Sequence, residues 1–319
     1  MLDPRVKRFL DVLAAGNPPS ILHASVEQRR AQLAELLKLS GPEVPVARVQ
    51  ERTVPGPAGP LAVRVYTPLA APGVAAPGVA TPGETLPGLV YLHGGGLVAG
   101  TLDTHEPIAR ALTAAGACRV ISLQYRLAPE QRFPAALEDA LAAVGHIAAH
   151  ALEFGIDAAR LGICGDSAGG TLAAAVCQAL ARAGGPQLAL QLLLCPILDY
   201  SRLTDSRREF AAGYLVGQDT LDHDLKHLLP AGMDPADPRV SPLRDTDLSG
   251  LPRTVIHTAE FDPLRDEGLE YFTRLTHSGT AVSYTCHAGM IHLFYGLGAV
   301  IPYARTAFEQ IGGEIRAAL

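Results

Sequence analysis

Two hydrophobic periods alternate along the chain. Val6, Phe9, Leu10 and Leu13 recur at helical spacing near the start, and residues 26–39 carry a second amphipathic pattern beyond the break at GNPPS (16–20). After the punctuating GPEVP (41–45), residues 46–54 and 61–66 read as strands joined by a Pro/Gly turn, an antiparallel pair at a sheet edge. Short apolar runs then alternate with stretches of helix formers, at 89–92, 119–124, 161–164, 190–194, 254–258 and 282–286. That rhythm predicts a largely parallel sheet with helices on both faces.

Two stretches interrupt the rhythm. Residues 69–88, LAAPGVAAPGVATPGETLPG, repeat a Pro/Gly unit that suits neither a helix nor a ladder, so a surface loop is expected. Residues 199–229 are charged, carry AAGYLVGQ and are too long for a simple connection. They read as an inserted lid that packs with the N-terminal helices. The expected division is an N-terminal cap segment at 1–45, a catalytic domain at 46–198 and 232–319, and an inserted cap segment at 199–231.

Composition narrows the class. The 319 residues are 48% hydrophobic and 18% charged, enough for one large core. Lys+Arg 26 against Asp+Glu 32 gives a net charge of −6, and no long basic block occurs, which argues against nucleic acid. The cysteines, Cys118, Cys164, Cys177, Cys195 and Cys286, are odd in number and form no C-x-x-C. They read as small buried hydrophobes in a reducing compartment, so a cytoplasmic location is expected. Asp3 and Asp11 interrupt any signal-peptide reading of the N-terminus, and no apolar run is long enough for a transmembrane helix.

The chemistry centres on LGICGDSAGGTLAAAV (161–176), where Ser167 lies between Gly165 and Gly169. An apolar run precedes it and a helix-forming run follows it, the context a strand-to-helix elbow needs. Gly165 and Gly169 leave room for the reversal, and Gly170 lets the helix pack close to the sheet. A serine held there, at a helix N-terminus, becomes a nucleophile once a base takes its proton. Oxyanion donors are sought in YLHGGGLVAG (91–100): the N–H groups of Gly94 and Gly95, together with that of Ala168.

HGGG, QYRLAPEQRFPAALEDA and GDSAGG together resemble the hormone-sensitive-lipase-like family of α/β-hydrolase esterases. EFDPLRDEG (260–268) matches the family's acid-bearing run, and HAGMIHLFY (287–295) its histidine-bearing one, with Leu293 where the family usually has glycine. The resemblance covers roughly residues 85–300. It implies an α/β-hydrolase fold, a mostly parallel eight-stranded sheet flanked by helices with a helical cap. It also implies the triad Ser167, Asp262 and His292, in the chain order serine, acid, histidine. Asp262 and His292 each follow an apolar strand, at the sheet edge where ligands bind. Glu260, Asp266 and Glu267 are the rival acids, and His257 and His287 the rival bases. His257 reads as a core histidine, and His223 and His227 as a solvated helix face.

The expected activity is hydrolysis of short- to medium-chain acyl esters through an acyl-enzyme, with no cofactor or metal needed. Leu97 stands where relatives often carry an aromatic; Leu97, Asp166 and Leu293 are the expected substrate contacts. YRLAPE (125–130) is expected to fix the loop under the site. The expected partner is a small-molecule ester, and the oligomeric state is left open, a homodimer included. An amide or lactone hydrolase with the same triad is an alternative, as is a non-catalytic binding protein on the same scaffold.

Overall fold

A computed structural model describes residues 1–16, 21–69 and 85–319. Most of the Pro/Gly repeat, at 70–84, and most of the GNPPS break, at 17–20, lie outside the described residues. Eight strands form one sheet: β1 (Arg48–Gly56), β2 (Gly59–Thr67), β3 (Leu86–Leu92), β4 (Arg119–Leu123), β5 (Ile156–Asp166), β6 (Leu190–Leu194), β7 (Arg253–Phe261) and β8 (Val282–Ile291). Their spatial order is β1-β2-β4-β3-β5-β6-β7-β8. β1 and β2 form the expected antiparallel edge pair, β2 pairs antiparallel with β4, and the remaining pairings are parallel.

Alternation along each strand divides the core. Val90 and Leu92 of β3 enter one buried cluster, and Leu89 and Tyr91 enter the other, on the opposite face. Helices α4 (Ala135–Ala149), α5 (Ala168–Ala183) and α8 (Arg265–His277) contribute to the first cluster. Helices α3 (Glu106–Gly116) and α9 (Tyr303–Ala318) contribute to the second. A strand covered on both faces is apolar along its whole length, which is why periodicity marked the central strands so plainly.

Above the carboxyl ends of the strands lie four further helices. α1 (Pro4–Ala15) starts at Asp3, whose side chain accepts from Arg5 and Val6 N–H; it buries Val6 and Phe9. α2 (Val26–Leu37) starts on a reciprocal capping box between Ser25 and Gln28. α6 (Asp205–Glu209) and α7 (Gln218–Leu228) come from the insertion between β6 and β7. α7 meets the N-terminal segment through His223, whose Nε2 lies 3.2 Å from the Ala24 carbonyl oxygen, and through an ion pair from Asp224 to Arg29 at 2.8 Å. His223 is therefore buried, not on the solvated face expected of it. No helix among the described residues is long and apolar enough to cross a membrane.

Candidate active site

The three residues expected to form the triad lie at strand ends. Ser167 directly follows β5, Asp262 follows β7, and His292 follows β8. Ser167 turns the chain into α5 with φ 52° and ψ −121°, a backbone conformation that side chains rarely adopt. The turn is clamped: Ser167 N–H donates to the Leu194 carbonyl at 2.9 Å, and the Ser167 carbonyl accepts from Ile197 N–H at 3.2 Å. It can be this tight because Gly165 and Gly169 touch backbone to backbone. A Cβ on Gly169 would also collide with the carbonyls of Leu92 and His93.

His292 Nε2 lies 3.1 Å from Ser167 Oγ, and His292 Nδ1 lies 2.8 Å from Asp262 Oδ2. Asp262 Oδ1 accepts the Leu264 N–H at 2.9 Å, which fixes the carboxylate in the turn opened by Pro263. Asp262 and His292 are both buried. Burial by itself would push the His292 pKa down; the anions Asp262 and Asp166 reverse that and hold it above the ordinary imidazole value, with Arg29 opposing. A proton on His292 is thus stabilised by its surroundings.

The rival groups are occupied elsewhere. Glu260 accepts the Gly289 N–H at 2.7 Å, Asp266 accepts the Ser206 N–H at 2.8 Å, and Glu267 pairs with Arg207 at 2.6 Å. His257 and His287 bond one another, Nδ1 to Nε2, at 3.0 Å, and His257 Nε2 reaches Glu314 at 2.6 Å. Neither histidine has a hydrogen bond to Ser167.

The glycine loop corrects one expectation by a single residue. Gly94 N–H already donates to Asp166 Oδ1 at 2.9 Å, so it is not free for an oxyanion. Gly95 and Gly96 instead line the cavity beside Ser167, and no hydrogen bond among the described residues takes their N–H groups or that of Ala168. Gly96 has φ +69°, and a Cβ there would collide with Asp224. Asp166 braces this loop: Tyr91 O–H donates to its Oδ1 at 2.6 Å, beside the Gly94 bond. His93, first residue of the loop, stacks on Tyr125 and His105 at 4.4 and 5.1 Å. Burial pushes its pKa down to about 3, so the ring is neutral.

YRLAPE supports the loop as expected. Tyr125 O–H donates to the His93 carbonyl at 2.5 Å, and Ala128 N–H donates to the Leu97 carbonyl at 2.9 Å. Leu97 does not behave as expected. It adopts φ 59°, is 3% exposed and packs into the core, away from the cavity wall. The left-handed turn after the glycines points its side chain down instead of toward substrate. Asp166 and Leu293 do line the cavity, and Leu293 holds φ 60°, a backbone region that favours glycine.

The cavity over Ser167 has a volume of about 1140 Å³. Leu10 and Leu13 of α1, Leu33 and Leu36 of α2, and Leu215 and Leu221 of the insertion give it an apolar wall. Arg29 and Asp224 meet in that wall as a two-pronged pair, Nε to Oδ1 at 3.1 Å and Nη2 to Oδ2 at 2.8 Å. Sequence reasoning missed this pair because its partners are far apart in the chain. It also missed Cys195, which read as one more small residue in an apolar run. Cys195, Asp262 and His292 bring a sulfur, an oxygen and a nitrogen within 4.8 Å of one another, the one group among the described residues with donors suited to a metal. Asp262 and His292 are already bonded to each other there. Of the cysteines, Cys286 is exposed, contrary to expectation, and the other four are buried.

The arrangement can deliver an alkoxide to a carbonyl and receive the resulting oxyanion on backbone N–H groups. Comparison with known proteins agrees with that chemistry. Residues 89–296 match the family model of the alpha/beta hydrolase fold. The chain is 38% identical over 313 residues to the carboxylesterase NlhH of Mycobacterium tuberculosis, covering 96% of this chain and 92% of that one. It is 33% identical over 297 residues to an arylesterase of Saccharolobus solfataricus, with 92% of each covered. Among solved structures, an ester-hydrolase from the metagenome of Lake Arreo superposes with a TM-score of 0.93 at 37% identity, covering 99% of each chain. An esterase of Pyrobaculum calidifontis superposes with a TM-score of 0.90 at 33% identity, covering 99% of this chain and 98% of that one. The chain is a serine-type esterase acting on acyl esters, and it belongs to the family of the α/β-hydrolase fold.

Proposed function

We propose that Ser167 is the nucleophile, His292 the general base and Asp262 the residue that orients it, and that the oxyanion rests on the N–H groups of Gly95, Gly96 and Ala168. The observation that carries this reading is the continuous line of hydrogen bonds, 3.1 Å from Ser167 Oγ to His292 and 2.8 Å from His292 to Asp262. His292 takes the hydroxyl proton as Ser167 Oγ attacks the ester carbonyl. The tetrahedral oxyanion forms over the start of α5, where the helix N-terminus favours negative charge. His292 then returns the proton to the departing alcohol, and an acyl-serine remains. Water enters, gives a proton to His292, attacks the acyl carbon and releases the acid.

The preferred substrates in this reading are neutral esters of short- to medium-chain acids. The apolar wall built by α1, α2 and residues 199–231 receives the acyl and alcohol groups, so residues 1–45 and 199–231 act as a cap on the catalytic domain. The HGGG and GDSAGG motifs support placing the chain in the hormone-sensitive-lipase-like branch of the family. The test joins rate to site. p-Nitrophenyl esters from acetate to dodecanoate are assayed with wild type and Ser167→Ala, and both proteins are treated with an organophosphate and mapped by mass spectrometry. The expected result is turnover that peaks at short to medium chains, falls about 10⁴-fold or more in the variant, and leaves the label on Ser167. Label on another residue, or equal turnover by the variant, overturns the assignment.

A further inference from the structure

One part of the wall over Ser167 is polar. Arg29 of α2 and Asp224 of α7 meet there, and both are buried. Asp224 accepts from Arg29 Nε at 3.1 Å and from Nη2 at 2.8 Å. A guanidinium carries five N–H groups, so three are left over, two of them on Nη1. Among the described residues, none of the three has a hydrogen bond. Tyr200, just beyond β6, lines the same cavity. It is 7% exposed, and its hydroxyl has no hydrogen-bond partner among the described residues. Burial, and after it the charge of Asp224, raises the Tyr200 pKa, so the hydroxyl keeps its proton and can donate.

These donors stand close to the reacting centre. A Cβ on Gly96 would collide with Asp224 Oδ2, and Arg29 is near enough to His292 to oppose a proton there. Buried donors without partners are costly, and an alkyl chain pressed against them would strip away the water that could serve them. An oxygen acceptor on the substrate satisfies them. The charges around the site favour a neutral acceptor. Arg29 is the one Lys or Arg lining the cavity among the described residues, against Glu35, Asp166, Asp219 and Asp224, and Asp224 already answers its charge. A carboxylate would meet a surplus of negative groups, and a carbonyl or ether oxygen would not.

We propose that Arg29 and Tyr200 form a subsite for an uncharged oxygen acceptor, so that the preferred ester carries a second carbonyl or ether oxygen on its acyl or its alcohol arm. The proposal deepens the reading of the site given above and rests on ester turnover at Ser167.

Matched esters that differ in the acceptor test it. p-Nitrophenyl 5-oxohexanoate is set against p-nitrophenyl 5-methylhexanoate for the acyl arm, and 2-methoxyethyl butanoate against butyl butanoate for the alcohol arm. kcat/KM is measured with wild type, Tyr200→Phe and Arg29→Met/Asp224→Leu. The ratio within each pair cancels any general loss of activity or of folded protein. The ratio of acceptor ester to hydrocarbon ester is expected to fall about tenfold or more in the double variant, which loses the charged donor, and about three- to tenfold in Tyr200→Phe. The pair whose ratio falls identifies the arm. Mono-p-nitrophenyl adipate, an anionic analogue, is expected to turn over more slowly in wild type than the ketone. Ratios that agree in all three proteins on both arms overturn the proposal and leave Arg29 and Asp224 as a strut between α2 and α7. A fall in the double variant alone removes Tyr200 from the subsite, and a preference for the adipate overturns the neutral acceptor. Equal turnover by Ser167→Ala would instead remove the reading of the site on which the proposal rests, a result distinguishable from any change in the ratios.

Discussion

The sheet edge that carries Ser167, Asp262 and His292 and the helical roof that faces it across the cavity are held by different means. At the edge, each functional residue directly follows a strand that is paired in register with its neighbours: β5 with β6, β6 with β7, and β7 with β8. Backbone bonds therefore set the spacing between Asp262, His292 and Ser167 before any side chain is chosen. In the roof, α2 meets α7 chiefly through side chains, above all Arg29 with Asp224, and Arg30 reaches down to Val98 O at 2.8 Å and to Glu130 at 2.7 Å. A region fixed by a ladder tolerates little change in geometry. A region fixed by a few side-chain pairs can be released by one substitution. The proposed chemistry thus sits on the rigid part, and the apolar wall proposed to receive the substrate sits on the part that is easier to alter.

The largest effect should come from the rigid side. Asp262→Asn keeps the fold but loses the charge that orients and stabilises His292, and kcat is expected to fall about 10⁴-fold. The pH profile sharpens the point. His292 must be neutral to act as base, so activity is lost as pH falls through its raised pKa. The acidic limb of wild-type kcat/KM is expected above 6.5, the ordinary imidazole value, and that of Asp262→Asn below the wild-type limb. A limb unmoved by the substitution would mean that Asp262 does not govern His292.

Next comes the roof. Arg29→Met takes the guanidinium from buried Asp224 and leaves it only the His223 ring, at a cost of roughly 3–5 kcal/mol in stability read by denaturant melting. Turnover of a small ester such as p-nitrophenyl acetate is expected to suffer far less than in Asp262→Asn, while the preference among acyl chains shifts. The double variant Arg29→Met/Asp224→Leu should recover most of the stability. A loss of small-ester turnover as deep as that of Asp262→Asn would erase the distinction between the two regions.

Gly96→Ala tests the seam where they meet. The added Cβ lies against Asp224, and the φ of +69° disfavours any side chain, so the proposed oxyanion donor is displaced. The expected cost is about 10²–10³ in kcat, with KM little changed. Gly94 offers the contrast, since its N–H is held by Asp166 and serves only to brace the loop. The smallest effect belongs to Leu97→Phe. Leu97 is buried beneath the loop, so the larger ring should cost about 1–3 kcal/mol of stability through overpacking and leave acyl-size preference unchanged. A changed preference would put residue 97 in the cavity wall after all.

Much of the rigid region was legible in the residues. All eight strands fell where the sequence placed strands, the central ones because a strand covered on both faces admits little but apolar residues. Ser167 was marked by the glycines its turn requires; Asp262 and His292 were singled out by the family resemblance of EFDPLRDEG and HAGMIHLFY, with which their place just after strands agrees. The reading went astray where position depends on the path of a loop. Three glycines in a row give no local sign of which N–H groups face outward; the bond from Gly94 to Asp166, 72 residues away, decides it. Leu97 was assigned to the cavity by its place after those glycines, yet a left-handed backbone turn sends it into the core.

The sequence by itself determined the order of strands and helices, the elbow at Ser167 and the kind of chemistry its neighbours allow, since these follow from periodicity and from local backbone demands. Only the tertiary structure decided which glycines are free to hold an oxyanion, that Arg29 and Asp224 join two distant segments over the cavity, and that Cys195 stands behind Asp262. Those facts depend on contacts between residues far apart in the chain, and one-dimensional spacing carries no trace of a contact until the sheet has brought its two sides together.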